Sequence, residues 1–97
     1  MDARTEAPAR AQMVDLDQEA MHWREAWRTL PRASAMRSFK RYWPVIREGY
    51  DVYLRHPHAA PSDNLQRYLL RDAVIASPLT EREAGMVFAQ VWMRITS

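Results

Sequence analysis

Cysteine is missing from all 97 positions of this chain. Its absence excludes disulfides, thiolate metal sites and thiol chemistry, and it removes the covalent staples on which small secreted scaffolds rely. Glycine is nearly as scarce, with only Gly49 and Gly85 present. A Gly-rich phosphate loop of the Walker or dinucleotide-binding type cannot be built from two isolated glycines. No stretch approaches the roughly 18 uninterrupted apolar residues of a membrane span. The opening residues MDARTEAPARAQMV mix both charge signs around no apolar centre, unlike a secretory leader. A cytoplasmic protein with no membrane partner is the expectation. Lysine occurs once, against 13 Arg, and 12 acids nearly offset the 14 bases to leave a formal charge of +2. A balance so close to neutral argues only weakly for nucleic acid.

Large rings are what the chain has in quantity: four Trp, four Tyr and two Phe. A chain of this size buries roughly 60–65% of its extended surface, so the rings have two destinations. They fill the core, or they anchor an interface.

Apolar residues recur with helical spacing and never with strand-like alternation. Residues 1–14 carry Ala, Pro and charge without a period and read as a flexible tail, leaving 15–97 as a single helical domain. A first helix starts at Asp15 or Asp17, either of which can cap it, and carries Leu16, Ala20, Trp23, Trp27 and Leu30 on one side. A second, over 32–55, places Met36, Phe39, Trp43, Ile46, Tyr50 and Tyr53 on one stripe that keeps its phase through Pro44. Pro44 predicts a bend there, or alternatively the start of a separate helix. After the Pro-containing loop 56–63, a third helix capped by Ser62 or Asp63 runs to Ala76. Thr80 and Glu83 form a capping box that opens a fourth, with Ala84, Val87, Phe88, Val91, Trp92 and Ile95 as its buried face. The fold class is all-α: a small four-helix bundle or irregular helical domain with one long Pro-kinked helix.

The pentapeptide Leu79-Thr80-Glu81-Arg82-Glu83 resembles the opening of the helix-turn-helix domain of quorum-sensing-type transcription regulators. Those domains continue into further helices that read DNA, and five residues assign no family.

Three constellations could carry function. Arg37, Lys40, Arg41, Arg47 and Arg55 fall mostly opposite the apolar stripe of the second helix and form a basic ridge able to hold phosphates. Glu48 interrupts that ridge, Asp51 can pair with Arg47, and the acidic first helix can neutralise the basic second one. Trp23, Trp27, Tyr42 and Tyr53, with Arg37 and Arg41 at the rim, are the expected anchors of a protein-binding surface. His56 and His58 are the only local pair of imidazoles, without the four ligands of a structural zinc site or any HExxH pattern. Nothing pairs a nucleophile with a base, and no cofactor, metal or small-molecule substrate is expected. The sequence therefore predicts a small non-enzymatic protein-binding or regulatory protein, an adaptor, inhibitor or small subunit. Its partner is another protein or a second copy of itself; the alternative is a nucleic-acid-binding regulator that uses the basic ridge.

Overall fold

Capping chemistry decides where the helices of this chain begin. The computed structural model describes residues 14–97. Asp15 accepts hydrogen bonds from the backbone N–H of Asp17 at 3.0 Å and of Gln18 at 3.3 Å. It starts α1 (Leu16–Ala26), which a 3-10 turn over Trp27–Thr29 continues. A short α2 (Ala33–Met36) leads into the longest helix, α3 (Phe39–Arg55). Then come α4 (Pro61–Leu69), a one-turn α5 (Asp72–Ile75) and α6 (Glu81–Thr96). The last opens on the expected capping box: Thr80 Oγ1 accepts from the Glu83 N–H at 3.1 Å, and the Glu83 carboxylate accepts from the Thr80 N–H at 2.9 Å. The result is an all-α, irregular bundle with no strand among the described residues.

Three boundaries differ from the sequence expectation. The segment 32–55 is not one helix, and its break falls at Arg37–Ser38 rather than at Pro44. Arg37 turns the chain with φ 79°, and Ser38, extended, caps α3 by accepting from the Arg41 N–H at 3.2 Å. A serine side chain aimed at its own downstream backbone competes better with the helix than proline does here. Pro44 rides inside α3 on the solvent side, so water can satisfy the Lys40 carbonyl that loses its partner. The third helix also splits. Pro61 opens α4 from the first helical position, a place where its missing N–H matters little, so Ser62 and Asp63 sit in the first turn rather than at the cap. Arg71 adopts an extended backbone between α4 and α5, and its guanidinium holds Glu48 at 2.8 Å and Asp51 at 2.6 Å. Finally, the flexible tail expected over 1–14 lies outside the described residues except for Val14, which packs against the core.

The core forms around α3, which packs against every other helix of the described fold. Its buried positions are Tyr42, Val45, Ile46, Gly49, Tyr50, Val52 and Tyr53, a band wider than a single stripe because neighbours press from several sides. Phe39 and Trp43, expected at the centre of the stripe, are only partly buried at its edge. Trp23, Trp27, Leu30, Met36, Tyr68, Val74, Val87, Phe88 and Val91 complete the interior. Three buried tyrosine hydroxyls donate to fixed acceptors: Tyr68 to the Val45 carbonyl at 3.1 Å, Tyr42 to the Pro31 carbonyl and Tyr50 to the Glu19 carboxylate. Among the described residues no buried side-chain nitrogen or oxygen lacks a hydrogen-bond partner.

Gly49 is where α3 and α6 come closest. A Cβ at that position would stand 3.1 Å from Val91 Cγ1, and Val91 is itself fully buried and stiff about χ1. Gly49→Val should therefore destabilise the fold by about 1–3 kcal/mol through overpacking, read as a lower urea midpoint. Gly85→Ala, whose new methyl would meet only Leu65 Cδ1 at 3.9 Å, should be neutral or stabilising by the helix-propensity difference of up to about 1 kcal/mol.

Candidate interaction surfaces

All four expected aromatic anchors lie inside the fold. Trp23 donates its indole N–H to the Tyr50 hydroxyl at 2.8 Å. Trp27 stands edge-on to Tyr42 with ring centroids 6.3 Å apart, and Tyr53 edge-on to Trp92 at 5.5 Å. Trp23, Trp27, Tyr42 and Tyr53 are each buried by the chain itself, so they build the scaffold and leave no open ring for a partner. Arg37 and Arg41, expected at their rim, are exposed: Arg37 in the turn before α3, where it shares a hollow with Trp27, and Arg41 in the first turn of α3. The structure thus does not bring the six residues together into one surface. The reason is geometric: α3 is wrapped on so many sides that Tyr42, which the stripe leaves at its edge, falls in the middle of the buried band.

The basic ridge is open. Arg37, Lys40, Arg41 and Arg47 are exposed and make no ion pair with any described residue, whereas Arg32, Arg55, Arg71 and Arg94 each hold a carboxylate. Arg55 leaves the ridge by pairing with Asp51 at 3.0 Å. Asp51, expected to pair with Arg47, instead serves Arg55 and Arg71.

Two polar clusters hold helices together. Glu19 of α1 accepts from Arg94 of α6 through both carboxylate oxygens, at 2.9 and 3.2 Å, and also from the Tyr50 hydroxyl of α3. Burial raises the Glu19 carboxyl, but the bonds from Arg94 and Tyr50 and the charges of Arg94 and His22 outweigh it and leave it below its ordinary value. Burial pushes the Tyr50 hydroxyl up, and the Glu19 carboxylate adds to this, so the phenol stays a donor. In the second cluster burial raises Asp51, and hydrogen bonds from Arg71 and Arg55 bring it below the usual carboxylate range. Neither cluster leaves a free nucleophile or base. Among the described residues no three His, Asp or Glu side chains gather as a metal would require. His58 is exposed and His56 half-buried, and His56 serves structure through its carbonyl, which accepts from the buried Asn64 amide at 3.0 Å.

Apolar surface gathers instead along the seam between α4 and α6, which the sequence reading did not select. Pro61 and Leu65 of α4 face Gly85, Phe88, Ala89, Trp92 and Met93 of α6 across an open hollow of about 280 Å³ whose only polar side chain is Ser62. Gln66, Leu69 and Leu70 face Thr80, Glu81 and Ala84 across a second hollow of about 330 Å³, which Val74, Ile75 and Leu79 also line. The N-terminal end of α4 thus meets the C-terminal end of α6 and the reverse, so the helices run antiparallel and the hollows follow one another along a single seam. Leu70, Ile75 and Met93 stand 74%, 64% and 60% exposed beside it. Gly85, Ala89 and Met93 recur every fourth residue outside the buried stripe of α6, and that second apolar stripe was the available signal.

No family model, curated protein or solved structure matches this chain.

The Glu19 cluster makes a pH-dependent contribution with a defined sign. A carboxyl held below its ordinary value stabilises the fold fully above the unfolded pKa near 4.3 and loses that effect as pH falls through the folded value. Glu19→Gln should therefore destabilise the protein by about 1–3 kcal/mol at pH 7. The gap between variant and parent should close in urea melts between about pH 5 and pH 3.

Proposed function

We propose that this chain is a small non-enzymatic binding domain, an adaptor, inhibitor or small subunit, whose partner is a protein. The occupant of the α4–α6 seam is an amphipathic helix of that partner. One observation carries the reading: two antiparallel helices leave a trough whose walls near Met93 are almost wholly carbon, with Leu70, Ile75 and Met93 standing exposed around it. A fold that buries seven of its ten Trp, Tyr and Phe rings has no internal use for these three side chains. Small residues at Gly85 and Ala89 keep the floor of the trough shallow enough for another helix to approach closely. A helix laid there would place residues at i, i+3, i+4 and i+7 into the successive hollows, and the bordering Ser62, Gln66, Thr80 and Glu81 would supply a polar rim.

The reading is tested by placing a photo-crosslinking amino acid at Met93, at Leu70 and, as a control away from the seam, at the exposed Met21 of α1. Irradiation in the cell that makes the protein should give one shared adduct from the two seam positions and none from Met21. Met93→Glu in the same background should lower adduct yield at least tenfold with an unchanged melting temperature, since the side chain is exposed in the free protein. An adduct of twice the chain mass identifies the partner helix as that of a second copy. No seam adduct, or the same products from Met21, would overturn the proposal.

A further inference from the structure

We infer that the exposed strip formed by Arg37, Lys40, Arg41 and Arg47 is a second binding surface, for the phosphate backbone of nucleic acid. It shares no residue with the α4–α6 seam, so its failure would leave that reading untouched.

No ion pair among the described residues engages these four bases, although Glu48 and Asp51 share a hollow with Arg47. Glu48, Asp51, Glu19 and Glu83 all hold arginines elsewhere, yet Arg37, Lys40, Arg41 and Arg47 have no carboxylate among the described residues. Neighbouring bases reinforce the same field. Arg24 lies over the Phe39 ring at 5.1 Å and Arg28 over Trp27 at 5.4 Å, so both are engaged by aromatic faces that leave their charge in place. Arg28 and Arg37 flank an open hollow of about 390 Å³ with Ser34, and no acid lines it.

Two further features set these bases against the stability of the fold. Lys40 and Arg41 sit in the first turn of α3, which contains no acid. Backbone N–H groups already make that end positive, and cations there are unfavourable. Arg37 adopts φ 79° and ψ −32°, a conformation that glycine accepts freely and other residues only with strain. An arginine kept where glycine fits better suggests that its side chain is wanted.

Spacing selects the ligand. From Lys40 to Arg47 α3 advances roughly 10 Å at the helical rise, a length over which one strand of a duplex presents about three phosphates, and Arg37 stands in the turn just before it. An evenly charged strand matches three cations on a rigid helix, with Arg37 in the turn before it, better than scattered carboxylates on a protein do. A membrane fits less well, because Pro44 is the one exposed apolar residue between Arg37 and Arg47, Phe39 and Trp43 being partly buried.

The full chain should be titrated into a fluorescein-labelled 20-base-pair DNA duplex, with anisotropy read from 25 to 300 mM salt. Binding should weaken with a slope of log K against log salt of about −3 to −4, as expected for about four phosphates. Arg47→Ala should lessen that slope by about one, and Arg37→Ala, Arg41→Ala and Arg47→Ala together should weaken binding at least tenfold at 50 mM salt. Arg37→Gly should bind several-fold more weakly yet melt at or above the parent temperature, which separates a binding role from a structural one. Circular dichroism melts of each variant confirm that the fold is kept. No binding at 25 mM salt, an unchanged affinity in the triple variant, or equal affinity for a poly-glutamate peptide of matched charge would each overturn the inference.

Discussion

The approach of α3 to α6 at Gly49 and Val91 is the constraint on which the rest of this fold depends. With no side chain on that side of α3, the two longest helices lie backbone to side chain, and the remaining elements fit around them. α1 crosses α3 where Trp23 reaches Tyr50, α4 where Tyr68 reaches the Val45 carbonyl, and α2 is brought in by Tyr42 reaching back to Pro31. A larger residue at 49 would separate the axes and loosen all of these contacts together. That is why a chain with two glycines has one of them buried in the middle of its longest helix, against helix propensity.

Much of this was legible in the sequence, for identifiable reasons. Asp15 and the Thr80–Glu83 box mark their helices because capping is local, needing only a few residues of the same segment. The stripe of α6 was read correctly because that helix is buried on one side. The stripe of α3 was displaced because a helix wrapped by five neighbours has no single buried face, and periodicity then loses its power to separate Tyr42 from Trp43. The break at Arg37–Ser38 was missed because Pro44 is the louder signal, and proline on the solvent side of a helix is tolerated. The split after Leu69 depends on Arg71 finding Glu48 and Asp51, contacts 23 and 20 residues away. No local pattern encodes them.

The candidate sites divide along the same line. The composition announced an excess of aromatic rings but could not say which side of the surface they would lie on, and the four selected as anchors are interior. The basic ridge was legible because charges on the solvent side of a helix stay where periodicity puts them. What decides its character is the absence of ion-pair partners among the described residues, and that emerges only when Glu19, Glu48, Asp51 and Glu83 are seen to hold Arg32, Arg55, Arg71 and Arg94. The seam was hidden because Gly85 and Ala89 are small, and no local pattern marks Leu70 and Ile75 as exposed.

Buried tyrosines explain how so small a core can be specific as well as apolar. Leucine in place of Tyr42, Tyr50 or Tyr68 would bury similar area but would accept many packings of similar energy. A phenol is different, because its hydroxyl must meet an acceptor or lose the bonds it made with water. Burial raises all three phenols above their ordinary range, so each remains protonated and able to donate. Each then tolerates one neighbour: a carbonyl just ahead of α2, a carboxylate on α1, a carbonyl on α3 itself. A packing that shifts α1 or α4 by a turn against α3 strands at least one hydroxyl. The rings thus supply the driving force and their oxygens the register, which leaves the exposed faces of α3, α4 and α6 free to carry charge and apolar surface without deciding the fold.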